Sequence, residues 1–147
     1  MLAARLIEFG VQEPVDTIFR DVWHRIEVSR RSLEIVNALR LAGYGVHLGT
    51  NQERHRGSYM RATLGYDDLF DTSCYSYELG VAKPDPAFFA AAASQIGADP
   101  STILFVDDSE KNVDGALRAG LKAVAWEVSQ GHEALLRLLA AHQIDLA

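Results

Sequence analysis

The chain has 147 residues, 48% apolar and 23% charged, the make-up of an ordinary globular domain, which excludes disordered and fibrous classes. Its 14 Lys and Arg against 20 Asp and Glu leave a formal charge of −6, which argues against a nucleic-acid binder working through a basic face. A single cysteine, Cys74, rules out a disulfide framework and a cysteine-based zinc site, and no apolar stretch approaches the ~20 residues that span a bilayer. With no secretion signal in Met1 to Arg5, a soluble cytoplasmic protein without a nucleic-acid or membrane partner is expected.

Residues 1–31 are helical in character. Val15, Ile18, Phe19, Val22, Trp23 and Ile26 recur at spacings of three and four, and Pro14 sits near the first turn of that run. A second helix is expected over Ser32 to Leu41, with Gly43 closing it. Tyr44 to Gly49 reads as a strand that ends in Thr50-Asn51-Gln52, and Glu53 to Leu64 as a helix. Tyr66-Asp67-Asp68 is a turn, and Phe70 to Tyr75 a strand. In Lys83-Pro84-Asp85-Pro86, Asp85 is placed to cap a helix whose first position holds Pro86 and which runs to about Ile96, with Gly97 at its end.

Ile103-Leu104-Phe105-Val106 has the pattern of a strand buried on both faces, and it stops in Asp107-Asp108-Ser109. A helix over Glu110 to Ala119, a strand over Leu121 to Trp126 and a helix over Glu133 to His142 complete the chain. Such alternation implies an α/β fold, a three-layer Rossmann-like parallel sheet with helices on both faces. Ligands of these sheets bind at the carboxyl ends of strands, which is where Thr50 and the Asp107-Asp108 pair fall.

Three segments, taken in order, carry a resemblance. The strand end His47-Leu48-Gly49-Thr50-Asn51-Gln52, the loop Gly80-Val81-Ala82-Lys83-Pro84-Asp85-Pro86 and the acidic run Phe105-Val106-Asp107-Asp108-Ser109-Glu110-Lys111-Asn112 resemble the second, third and fourth motifs of the haloacid dehalogenase superfamily. The similarity extends from about Ser32 to Trp126 and includes Ser76-Tyr77-Glu78-Leu79-Gly80 and Gly115-Ala116-Leu117-Arg118-Ala119-Gly120. It implies a haloacid dehalogenase-like core over 32–147, with 1–31 as the remnant and return linker of a small helical cap. It also implies a Mg2+-dependent phosphatase of small phosphorylated metabolites. Dehalogenases of the same subfamily need no metal, so the paired acids favour phosphate.

Chemistry supports these assignments. Phosphoryl transfer places negative charge on equatorial oxygens, which require donors and cations. Thr50 and Lys83 are the candidate catalytic residues; Thr50, Asn51 and Lys83 are the candidate phosphate contacts, through a hydroxyl, an amide and an ammonium. Asp107 and Asp108 offer adjacent hard oxygen ligands for Mg2+, and Asn112 supports the acidic loop from one helical turn on. Outside this context each has a plainer role: Thr50 a strand-end cap, Lys83 a surface cation, the Asp pair a helix cap. Asp114 and His55 read as surface helix positions, His47 as a hydrogen-bonded structural histidine, Cys74 as a small strand side chain, and Trp23 and Trp126 as packing groups.

The family's first motif, an apolar strand ending in Asp-x-Asp whose first Asp attacks phosphorus, has no counterpart in this sequence. Asp16 and Asp21 lie in the helical run, and Leu6-Ile7-Glu8-Phe9-Gly10 echoes the strand but places Glu8 where Asp is required. In the family that strand lies between those bearing the second and fourth motifs, so its loss would leave two unpaired edges and a groove. The expected explanations are a start assigned too far downstream, a strand supplied by a partner, with a homodimer through the unpaired edge as one form, or a repacked relative. A chain lacking turnover is the expectation, with a non-catalytic phosphate- and Mg2+-binding module acting through a partner as the alternative. A phospho-receiver domain shares the residue types but has its acidic pair first and its lysine last, the reverse of the order here.

Overall fold

The computed structural model describes Thr17 and residues 26–146. Most of the expected N-terminal helical segment, with Glu8, Asp16, Asp21 and Trp23, lies outside the described residues. Helix α1 spans Arg30–Leu41, so it begins two residues before the expected start, where the Ser29 side chain accepts from the Ser32 N–H as an N-cap. Strand β1 (His47–Thr50) follows, then α2 (Arg54–Ala62), whose Glu53 side chain caps the His55 and Arg56 N–H groups. The expected turn at Tyr66 is a single helical turn, α3 (Tyr66–Leu69), and it leads into β2 (Thr72–Tyr75). A second short turn, α4 (Ser76–Leu79), precedes the Lys83-Pro84 loop.

Local chemistry then acts as the sequence implied. Asp85 accepts from the Ala87 N–H, Pro86 opens α5 (Pro86–Ile96), and Gly97 ends it at φ 77°, a left-handed conformation that glycine adopts without a Cβ clash. Strand β3 (Leu104–Asp107), α6 (Glu110–Arg118), β4 (Lys122–Ala125) and α7 (His132–Ala141) complete the α/β alternation.

The strands pair in parallel. His47, Leu48, Gly49 and Thr50 of β1 stand opposite Thr72, Ser73, Cys74 and Tyr75 of β2. Leu104 to Asp107 of β3 stand opposite Lys122 to Ala125 of β4. Among the described residues the sheet therefore exists as two halves, β1–β2 and β3–β4, with β1 and β3 each paired on one side only.

Two apolar cores cover the opposite faces, which makes the three layers. On one face α5 and α6 bury Phe88, Phe89 and Ala116 against Cys74, with Phe105 and Ala123 packed beside them. On the other, α1 and α7 bury Ile35, Leu135 and Leu139 against Leu104, Val106 and Trp126. Phe105 thus points one way and its neighbours Leu104 and Val106 the other, as the two-residue period of a strand demands. Cys74 is buried in the first core, and the Trp126 indole packs on His132 and donates to the Gly131 carbonyl, both in keeping with packing roles.

Strand β3 is covered on both faces by the two cores, as expected, and its residues are half-buried, its only ladder among the described residues being with β4. One expectation is corrected. His47 is not hydrogen-bonded at both ring nitrogens: its Nδ1 is buried without a partner, and burial, opposed by Asp71, lowers the pKa of the imidazole.

Candidate active site

The carboxyl ends of β1 and β3 and the Lys83 loop converge. The Lys83 ammonium donates to the Gly49 carbonyl at 2.9 Å and to Asp107 Oδ2 at 2.6 Å, so one side chain joins the end of β1 to the end of β3. Both members of this ion pair are nearly out of solvent, with side chains 9% and 8% exposed. The other carboxylate oxygen, Asp107 Oδ1, accepts from the Ser109 N–H at 3.0 Å and from Asn112 Nδ2 at 2.8 Å. Burial pushes the Asp107 carboxyl up, but the hydrogen bonds from Lys83, Asn112 and the Ser109 N–H outweigh it and hold the group below its ordinary value. Asn112 thus supports the acidic loop directly, its reach set by the first turn of α6.

Lys83 is held in place by its backbone. Asn51 Nδ2 donates to the Lys83 carbonyl at 2.8 Å, and the Lys83 N–H donates to Asn51 Oδ1 at 2.9 Å. This two-bond clasp uses the Asn51 carbonyl oxygen and one of its two amide protons, leaving one proton for a ligand. Behind the loop, α6 approaches so closely that a Cβ on Gly115 would press into the Pro84 carbonyl oxygen and stand 2.9 Å from Phe89 Cε2. Glycine at 115 is a condition of this packing. The Lys83–Pro84 peptide is cis.

Thr50, half-buried at the tip of β1, accepts a hydrogen bond from Gln52 Nε2 at 3.2 Å. Asp108, next to the committed Asp107, is exposed. The structure therefore gathers Asn51, Lys83, Asp107 and Asn112 in one hydrogen-bonded network, with Thr50 and Asp108 adjoining it in sequence and Thr50 bonded to Gln52 instead. It leaves Asp114 and His55 exposed on their helices. Sequence reasoning missed Gln52, Ser76 and Gly115. The glycine is visible as a helix-interior glycine in Val113-Asp114-Gly115-Ala116, a residue that costs helix stability unless close packing requires it.

Among the described residues no three His, Cys, Asp or Glu side chains are grouped as a metal site. What they offer is two adjacent carboxylates. Asp107 has three acceptor positions filled, out of about four on a carboxylate, while Asp108 keeps its own. That donor set fits a hydrated Mg2+, which takes one or two protein carboxylates and keeps several waters.

Comparison with known proteins bears on the family and the fold. A family model for haloacid dehalogenase-like hydrolases matches residues 4–120. Over 97 residues the chain is 31% identical to pyrophosphatase PpaX of Bacillus velezensis, covering 65% of this chain and 45% of that one. Over 62 residues it is 39% identical to glyceraldehyde 3-phosphate phosphatase of Methanopyrus kandleri, covering 42% of this chain and 27% of that one. The chain thus spans less than half the length of these curated relatives. An Asp-to-Ala mutant of a haloacid dehalogenase family enzyme from Bacteroides thetaiotaomicron, solved with magnesium and inorganic phosphate, superposes with a TM-score of 0.73 at 25% identity, over 90% of this chain and 71% of that one. On the family match and the parallel α/β fold with helices on both faces, this chain belongs to the haloacid dehalogenase-like hydrolases.

Proposed function

We propose that this chain carries the phosphate-binding and Mg2+-binding part of a phosphatase for small phosphorylated metabolites. The observation that carries the reading is the Lys83 ammonium, bonded to Gly49 and Asp107 between the ends of β1 and β3. An ammonium has three protons; two are committed here, and the third is free for a phosphate oxygen. The Thr50 hydroxyl supplies a second donor and the remaining Asn51 amide proton a third. These groups orient the phosphate and offset the charge that builds on its oxygens, in a site where donors are already in place. Asp107 and Asp108 would hold Mg2+, which when bound neutralises phosphate charge.

Asp107 is committed to Lys83, Asn112 and the Ser109 N–H, which leaves it unsuited to attack phosphorus. With no Asp-x-Asp first motif in this sequence, the proposal is that the 147 residues bind phosphate without turning it over. Calorimetry should show Mg2+-supported binding of inorganic phosphate that disappears in Asp108→Ala, and p-nitrophenyl phosphate should release nothing above buffer. Absence of phosphate binding would refute the site; steady Mg2+-dependent release would refute the lack of turnover.

A second reading, a non-catalytic module that acts through a partner, is favoured by the strand edges of β1 and β3 that pair with nothing among the described residues. Such edges invite another strand, including one from a second copy of the chain. Sedimentation across a hundredfold concentration range would reveal a dimer, and a monomer throughout would remove that form of the reading.

A further inference from the structure

We propose that Gln52 is a positioning residue. Its side-chain amide occupies the Thr50 oxygen as a donor, so that the hydroxyl's own proton is turned toward an incoming anion. The proposal rests on the reading of Thr50 as a phosphate contact.

A threonine oxygen carries one proton and two lone pairs on a rotor that settles wherever its neighbours allow. Here Gln52 Nε2 donates to Thr50 Oγ1 at 3.2 Å. A hydroxyl that accepts from a group without a free lone pair cannot donate back to it, so its proton must go elsewhere. The Gln52 backbone is itself pinned. Its N–H donates to Ser76 Oγ at 2.9 Å, and the Ser76 hydroxyl donates to the Gln52 carbonyl at 3.0 Å. Ser76 directly follows Tyr75, which is the register partner of Thr50. The tip of β1 and the tip of β2 are thereby closed into a circuit: Thr50, Gln52, Ser76, Tyr75 and across the ladder to Thr50 again.

Two consequences follow for an anion. Accepting one hydrogen bond polarises the hydroxyl and strengthens the one it gives, by about 10–30% in condensed-phase estimates. A rotor already held also loses less freedom when the ligand arrives. The competing possibility is that the Gln52–Thr50 bond merely ties the loop, with no bearing on which way the proton points.

Gln52→Glu separates the two. A glutamate keeps the length and the tie but reverses its polarity, since a carboxylate only accepts, and the Thr50 proton is then drawn inward. Gln52→Ala removes the tie. Two measurements decide. In the ligand-free protein, three-bond NMR couplings at Thr50 should report one χ1 rotamer in the wild type and in Gln52→Glu, and an averaged one in Gln52→Ala; a fixed rotamer in Gln52→Ala overturns the positioning role.

Calorimetric titration with inorganic phosphate and Mg2+ should show roughly tenfold weaker binding in Gln52→Glu, the scale of one lost hydrogen bond to a charged group. In a Thr50→Val background the same replacement should cost only about twofold, the residue of simple charge repulsion. Equal losses in the two backgrounds overturn the proposal, because Gln52 would then act without Thr50. Failure of the wild type to bind phosphate refutes the active-site reading and the anion-directed half of this proposal, while the rotamer measurement still decides whether Gln52 holds the hydroxyl.

Discussion

Replacing Lys83 by Met keeps most of the side-chain volume and removes the ammonium that faces Asp107. The pair has side chains 9% and 8% exposed, so Asp107 would be left as a buried charge without its counter-ion. Breaking a buried pair in this way costs about 3–5 kcal/mol. The Ser109 N–H and Asn112 still serve Asp107 Oδ1, and only Oδ2 and the Gly49 carbonyl lose their donor, which places the expected loss near the lower end, about 3 kcal/mol. Against the ~5–15 kcal/mol that holds a domain folded, this is large and easily read by urea melts monitored at the tryptophans.

The pH dependence carries a sign. In the wild type the Asp107 carboxyl is held below its ordinary value, so the stability it contributes is present above the unfolded-state pKa of about 3.9 and is lost as pH falls through the lower folded value. Without Lys83, burial meets less opposition and the folded value moves up from that of the wild type. The variant's deficit should then shrink as pH drops from 7 toward 4, where Asp107 takes up a proton. Lys83→Met with Asp107→Asn, which removes both charges, should recover most of the loss at pH 7. A deficit under 1 kcal/mol, or one that is flat with pH and not relieved by the second substitution, would refute the account of Lys83 and Asp107 as a buried pair.

Two glycines test how rigid the surroundings are. At Gly115 the obstacle to a Cβ is the Pro84 carbonyl, part of the backbone, with Phe89 on the other side. Gly115→Ala should therefore cost about 1–3 kcal/mol in urea melts despite the gain in helix propensity, and should weaken phosphate binding by displacing the Lys83 loop. At Gly57 the obstacle is the ring edge of Tyr77, a half-buried side chain that can swing aside. Gly57→Ala should cost under about 1 kcal/mol, because the helix gains nearly as much as the contact loses, and a larger penalty than at Gly115 would reverse the argument.

What was legible in the sequence was what depends on near neighbours. Asp85, Pro86 and Gly97 define α5 through a cap, a fixed φ and a positive φ, each a property of one residue and the next few. Asn112 was found for the same reason, since one helical turn brings it to the acidic loop. The roles that escaped are those set by distant partners. Asn51 reads as a phosphate donor from its place after Thr50, yet its amide clasps the Lys83 backbone 32 residues away. Gln52 meets Ser76 across 24 residues, and no short-range pattern announces that.

The half-buried β3 has the same origin and bears on function. Four apolar residues between turns describe a strand with neighbours on both sides, but apolarity says nothing about which segment supplies them. In the described residues β3 has β4 on one side, while on the other its link to β1 runs through the Lys83 side chain. Among the described residues the two half-sheets are thus coupled by an ion pair and by the apolar core that joins Cys74 of β2 to Phe105 and Ala123, rather than by a continuous ladder. Thr50 belongs to one half and Asp107 and Asp108 to the other. A phosphate held by Thr50 and Lys83, with Mg2+ on the Asp pair, would therefore bridge the same junction that Lys83 bridges alone. On the proposed reading, Lys83 and Asp107 would both serve the ligand and join the halves of the sheet, so binding and stability should respond together to changes at Lys83, Asp107 and Gly115.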